Sequence, residues 1–231
     1  MRRLLLSLPL LLACSSARQA APATDAGRLD CSGTGEPAVV FIPGASRGAS
    51  DWDAVRGALK PGVKACAWDP PGSGPRTSGS DARLLLDALA GQAKRWVLVG
   101  HSYGGLVVRV VAASAPDRLA AVLFVDSVHE DGFDPAQAYP VTEKQHIDWV
   151  PSFREAARAG LPREVPVLAL SADYRDQPSW EQHLGSQRKL VAGGKPGEVV
   201  VVEWTGHHIP RDRPTAVAEA VQRLLEMPAV H

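Results

Sequence analysis

The residues with the clearest chemical potential lie at 100–105, Gly-His-Ser-Tyr-Gly-Gly. An apolar run at 96–99 precedes them, and Leu106, Val107, Val110 and Val111 follow at helical spacing. Gly-x-Ser-x-Gly between a strand and a helix is the setting of a nucleophile elbow. Gly100 and Gly104 leave room for a turn too sharp for larger neighbours, and Ser102 would stand exposed beside a helix N-terminus. A serine hydroxyl needs a base in hydrogen-bond reach, and the base needs an acid to fix its tautomer. Of seven histidines, His207 is the expected base. It follows the apolar run 199–202, in a loop between the last strand and the last helix, and that loop returns to the sheet edge carrying Ser102. His208 should then face away. His101 should pack, and His129, His146 and His183 fall in or near an insertion and a surface helix. For the acid, Asp126 ends the strand after the elbow helix, whereas Asp173 and Asp176 follow the next strand, so either loop can reach His207. The oxyanion of a tetrahedral intermediate needs backbone donors. The amides of Tyr103 and Ala45 are the expected pair, the second from the loop after residues 39–42.

Apolar runs with little polar alternation recur at 39–42, 64–69, 96–99, 120–125, 165–170 and 198–204. Helical spacing separates them at 51–59, 81–90, after the elbow, and at 214–227, where Pro214 suits a first turn. The expected fold class is α/β: a mostly parallel, doubly wound sheet with helices on both faces. Residues 127–164 break the rhythm with Phe133, Tyr139, Ile147, Trp149 and Phe153 in a Pro-containing stretch. An insertion beyond the carboxyl end of a strand is placed to cover a site, so it reads as a small cap.

The ends carry a different message. Arg2 and Arg3 precede a leucine-rich run closed by Ala13-Cys14. Residues 1–13 read as a signal peptide, too short for the roughly 20 residues that span a bilayer. The sequence 11–14, Leu-Leu-Ala-Cys, resembles a bacterial lipobox, which implies lipidation of Cys14 and a membrane anchor in the cell envelope. The alternative is an ordinary secretory signal cut after Ala17 or Ala20. Residues 14–27 read as a flexible tether and 28–228 as one domain. Export leaves Cys31 and Cys66 as an even pair, expected to form a disulfide. Twenty-five basic and 25 acidic side chains balance, without a basic stripe, so nucleic acid is not an expected partner. No histidine–carboxylate spacing suits a metal, and no cofactor is expected.

Taken together, the 100–105 elbow and Gly206-His207 resemble the α/β-hydrolase superfamily over about residues 29–225. The segment 31–37, Cys-Ser-Gly-Thr-Gly-Glu-Pro, is similar to the opening of bacterial single-domain members. In these a second cysteine precedes a Tyr-Asp-Arg-x-Gly loop, here Cys66-Ala67-Trp68-Asp69-Pro70-Pro71-Gly72, and a later strand ends Val-Asp-x-x-His-x-Asp, here 125–131. The resemblance implies a serine hydrolase acting on an ester or related acyl bond of a small-molecule substrate. The same triad serves peptidases, thioesterases and lactonases, and a tethered, non-catalytic binding protein could keep the fold. Three departures stand out: Pro43-Gly44 replaces the usual His-Gly, Pro70 replaces Arg, and Arg175 fills the usual acid slot. The last favours Asp126 as the acid, with Asp173 as the alternative.

Overall fold

Strands β2 (Ala38–Ile42) and β4 (Trp96–His101) show why their sequences read as unbroken apolar runs. Ala38, Val40 and Ile42 enter one core cluster, whereas Val39 and Phe41 enter a second. In β4, Trp96 and Leu98 face the first and Val97 and Val99 the second. Successive side chains point to opposite faces, and here both faces are covered, so no position is left for a polar residue.

The computed structural model describes residues 27–72, 75–132 and 147–228. The signal peptide, Cys14, most of the tether, and Phe133 and Tyr139 of the insertion lie outside the described residues. Seven strands form one sheet in the order β1-β3-β2-β4-β5-β6-β7, with β1 at Arg28–Ser32, β3 at Ala65–Asp69, β5 at Leu119–Val125, β6 at Val167–Ala172 and β7 at Gly197–Val202. All neighbours are parallel except β1, which runs antiparallel to β3. Helices α2 (Ser78–Ala88), α3 (Gly104–Ser114), α4 (Trp149–Ala159) and α5 (Trp180–Leu190) contribute to the first cluster. Helices α1 (Asp53–Ala58), α6 (Ile209–Asp212) and α7 (Pro214–Glu226) contribute to the second. Among the described residues no helix is long and apolar enough to cross a membrane.

Three local differences from the sequence reading have physical causes. Strand β1 was not anticipated, because an edge strand bearing Arg28 and Asp30 lacks an apolar run. It sets Cys31 opposite Cys66, and the two form a disulfide. Helix α2 starts at Ser78, not Asp81, because Thr77 caps it: its hydroxyl accepts from the Ser80 amide, and the Ser80 hydroxyl accepts from the Thr77 amide. Within the insertion, α4 is a packed helix. It buries Trp149, Phe153 and Ala156, and Glu155 accepts from the Gly79 amide at 2.7 Å at the positive end of α2.

Candidate active site

The turn after β4 carries the site because of what its glycines permit. A Cβ on Gly104 would lie 2.4 Å from the Ile42 carbonyl oxygen, and one on Gly100 would lie 2.7 Å from that of Gly104. Only glycine lets α3 leave the strand so tightly. Ser102 between them adopts φ +52°, a left-handed backbone that costs a non-glycine residue about 1–3 kcal/mol. Its backbone is held there on both sides. The Ser102 amide donates to Val125 O at 3.1 Å, and its carbonyl accepts from the amides of Gly105 at 3.0 Å and Val128 at 3.3 Å.

His207 lies in the loop between β7 and α6, and its ring bridges two partners. Nε2 is 3.0 Å from Ser102 Oγ, and Nδ1 is 2.7 Å from Asp126 Oδ2. Burial pushes the Asp126 carboxyl up, but hydrogen bonds from His183, His207 and the Ala172 amide outweigh it and hold the group well below the usual carboxylate range. An ionised carboxylate only accepts, so His207 carries its hydrogen on Nδ1. Nε2 is left with a lone pair toward Ser102, and the serine hydroxyl donates to it. The arrangement can deprotonate Ser102 and then return that proton to a leaving group.

Asp126 stands at the end of β5 with φ +41°, its amide bonded to Leu170 O at 2.7 Å. Asp173, the alternative acid, is engaged elsewhere. Its carboxylate accepts from Arg175 Nε and Nη2, each at 2.7 Å, and from the Trp204 amide at 3.3 Å. That pairing supports the strand end leading to His207, and it occupies both carboxylate oxygens with donors other than the His207 ring. Asp176 is exposed.

Among the other histidines, His101 packs as expected and His146 lies outside the described residues, whereas His208 and His183 depart from the sequence reading. His208 does not face away: it lines the same cavity as His207, with ring centroids 5.4 Å apart. His101 is buried, and its Nε2–H donates to the His207 carbonyl at 2.8 Å, fixing the backbone that presents the base. Burial, followed by the neighbouring His207, pushes the His101 ring down to about 4, so it is neutral at pH 7. His183 is no bystander on a surface helix. Its Nε2 lies 2.9 Å from Asp126 Oδ1. The available signal was a histidine three residues after Trp180 on a helix beside the acid-bearing strands, which sequence alone does not connect to Asp126.

The cavity measures about 560 Å³. Ser102, Asp126 and His207 meet Ala45 from the loop after β2, Trp149 and Phe153 from α4, and Tyr174 and Gln182 from the segment after β6. A Cβ on Gly44 would lie 3.3 Å from Ser102 Cβ, so this loop passes directly over the serine. Neither the Ala45 nor the Tyr103 amide has an acceptor among the described residues. No cluster of three metal-ligating side chains occurs among the described residues.

The model of the Alpha/beta hydrolase family matches residues 39–227. The chain belongs to that family. The chain is similar to Esterase PIR7B of Oryza sativa subsp. japonica, 36% identical over 109 residues. That match covers 42% of this chain and 41% of the rice protein, so the chain spans less than half the length of that relative. Among solved structures, a thermophilic esterase from Thermogutta terrifontis is similar in fold, with TM-score 0.63, 21% identity, and coverage of 86% of this chain and 92% of that one. The enol-lactonase of Burkholderia xenovorans LB400 gives TM-score 0.60 at 18% identity, covering 87% and 96%.

Proposed function

We propose that the protein hydrolyses carboxylic esters through an acyl-serine intermediate. The observation that carries this reading is the row Ser102 Oγ–His207 Nε2, His207 Nδ1–Asp126 Oδ2, at 3.0 and 2.7 Å, opening on a cavity. Ser102 Oγ attacks the ester carbonyl as its proton passes to His207 Nε2. Asp126 stabilises the imidazolium that forms and keeps the ring oriented. The amides of Tyr103 and Ala45 donate to the oxyanion, each worth on the order of 10²–10³ in kcat in comparable sites. The imidazolium then protonates the departing alkoxide. Water, deprotonated by the same nitrogen, releases the acid. The names of the rice relatives and of the structural neighbours support an ester or lactone bond over an amide.

A fluorophosphonate probe followed by peptide mapping tests the nucleophile. Labelling at Ser102, with turnover in a graded panel of p-nitrophenyl esters and lactones, is the expected result. A folded protein that neither labels nor turns over any member of the panel refutes the reading and leaves a binding protein of the same fold. Export and anchoring through a lipid on Cys14 belong to the same proposal. Incorporation of labelled palmitate that is lost in C14S tests them.

A further inference from the structure

Asp126 carries more hydrogen bonds than a triad acid requires. Oδ2 receives His207 Nδ1 at 2.7 Å and the Tyr174 hydroxyl at 3.2 Å. Oδ1 receives the Ala172 amide at 2.9 Å and His183 Nε2 at 2.9 Å. The carboxylate is an acceptor only, so His183 must carry its hydrogen on Nε2. The ring is held in place for this task. Tyr174 meets it edge-on with centroids 4.8 Å apart, and Trp180 stacks on it at 6.5 Å.

We propose that His183 is a positioning residue of the hydrolytic site, one that fixes the Asp126 carboxylate so that Oδ2 stays on His207. The inference rests on the ester-hydrolase reading. The torsion that turns a carboxylate about its Cβ–Cγ bond has broad, shallow wells, so directional donors must set it. Without His183, the Ala172 amide is the one donor left on Oδ1, and the Tyr174 hydroxyl, at 3.2 Å from Oδ2, holds the plane only loosely. Adding His183 on the same oxygen, opposite His207 and Tyr174 on the other, defines the plane. His183 also draws on the negative charge that His207 uses. The ionisable groups around it are Asp126 from the end of β5, Tyr174 from the segment after β6, and His207 from the loop after β7, with His101 and His208 beyond. Removing the His183 donor therefore has two effects. It loosens the acid, which lowers kcat. It also leaves more of the carboxylate charge on His207, so the base holds its proton more tightly and the acidic limb of kcat/KM moves to higher pH.

Two variants separate positioning from packing. H183F keeps an aromatic ring between Tyr174 and Trp180 but has no donor. H183Q lacks the ring but offers an amide N–H near the place of Nε2. We expect H183F to lose about ten- to a hundredfold in kcat, the range for one hydrogen bond to a charged group, with KM within about threefold and the acidic limb displaced upward. H183Q should stay within about threefold of wild type, and its limb should not move. An H183F enzyme with wild-type kcat and pH profile overturns the proposal. So does H183Q failing as badly as H183F, or loss of folding in both by thermal melting, since either assigns His183 to stability alone. A wild-type protein that labels at Ser102 but is indifferent to His183 defeats only this inference. A wild-type protein that never labels defeats the ester-hydrolase reading itself.

Discussion

Replacing Asp126 by Asn is the sharpest probe of the site, because the structure dictates which way the new amide must point. The Ala172 N–H is a backbone donor with no alternative role, and it bonds the Oδ1 position at 2.9 Å. The amide oxygen must therefore remain at Oδ1, where it also serves His183. The NH2 group then occupies the Oδ2 position and directs hydrogens at His207 Nδ1 and the Tyr174 hydroxyl. A hydroxyl can rotate and accept, but a ring nitrogen can accept only by giving up its hydrogen. His207 switches tautomer, its hydrogen moves to Nε2, and the lone pair facing Ser102 disappears. A comparable substitution in another triad lowers kcat by about 10⁴ with geometry intact. At 1.36 kcal/mol per factor of ten this is roughly 5 kcal/mol of lost transition-state stabilisation. Steady-state p-nitrophenyl acetate hydrolysis measures it, with circular dichroism and thermal melting to establish the fold. D173N is the internal control. Its partners are Arg175 and the Trp204 amide rather than His207, so kcat should change little. A folded D126N enzyme keeping more than a tenth of wild-type activity, or a D173N enzyme equally crippled, refutes the reasoning.

Other perturbations have equally definite outcomes. S102A should fold normally and lose on the order of 10⁶ in kcat, leaving what binding and the oxyanion donors supply, and retention of a tenth of the activity contradicts the nucleophile assignment. The Cys31–Cys66 bridge spans a sequence separation of 35. The chain-entropy model gives such a loop about 4 kcal/mol, so C31A/C66A should show that loss in denaturant titration, and a change under about 1 kcal/mol argues against it. Burial raises the Asp81 carboxyl to about 6 from its ordinary 3.8, against the pull of Arg76 and the Tyr103 hydroxyl. The folded state thus binds this proton more tightly than the unfolded chain. Stability from this group is full below about pH 4 and falls as pH rises to about 6, by roughly 3 kcal/mol at 1.36 kcal/mol per pH unit. D81N should lack that slope when both proteins are unfolded with urea across pH 4–7, and parallel profiles would count against the assignment.

The elbow and the central strands were legible because local forces fix them. Gly100 and Gly104 are demanded by steric contacts within the turn itself, and strands covered on both faces leave their mark as unbroken apolar runs. Strand β1 left no such mark, since an edge strand can carry charge, and its place is set by pairing with β3. The acid was half legible. Asp126 and Asp173 end adjacent parallel strands at the same edge of the sheet, and sequence spacing brings both within reach of the base. What separates them is where each carboxylate is spent, and Arg175, two residues from Asp173, captures that one.

His183 was illegible for a related reason. It stands 57 residues from Asp126, and no periodic pattern records a contact of that kind. The Asp126 and His183 contacts are connected through the segment after β6. By its resemblance to the wider superfamily, this segment is where the acid is expected. Here it places Arg175 over Asp173 and aims Tyr174 and His183 at Asp126 instead. A carboxylate at the end of β5, carrying a positive φ and almost no exposure, needs donors on both oxygens to remain ionised and oriented. The segment relieved of the acid is the one that supplies them. In physical terms the two contacts are one arrangement: the segment that holds Asp173 with Arg175 is the segment that brings the Tyr174 and His183 donors to the buried Asp126 carboxylate.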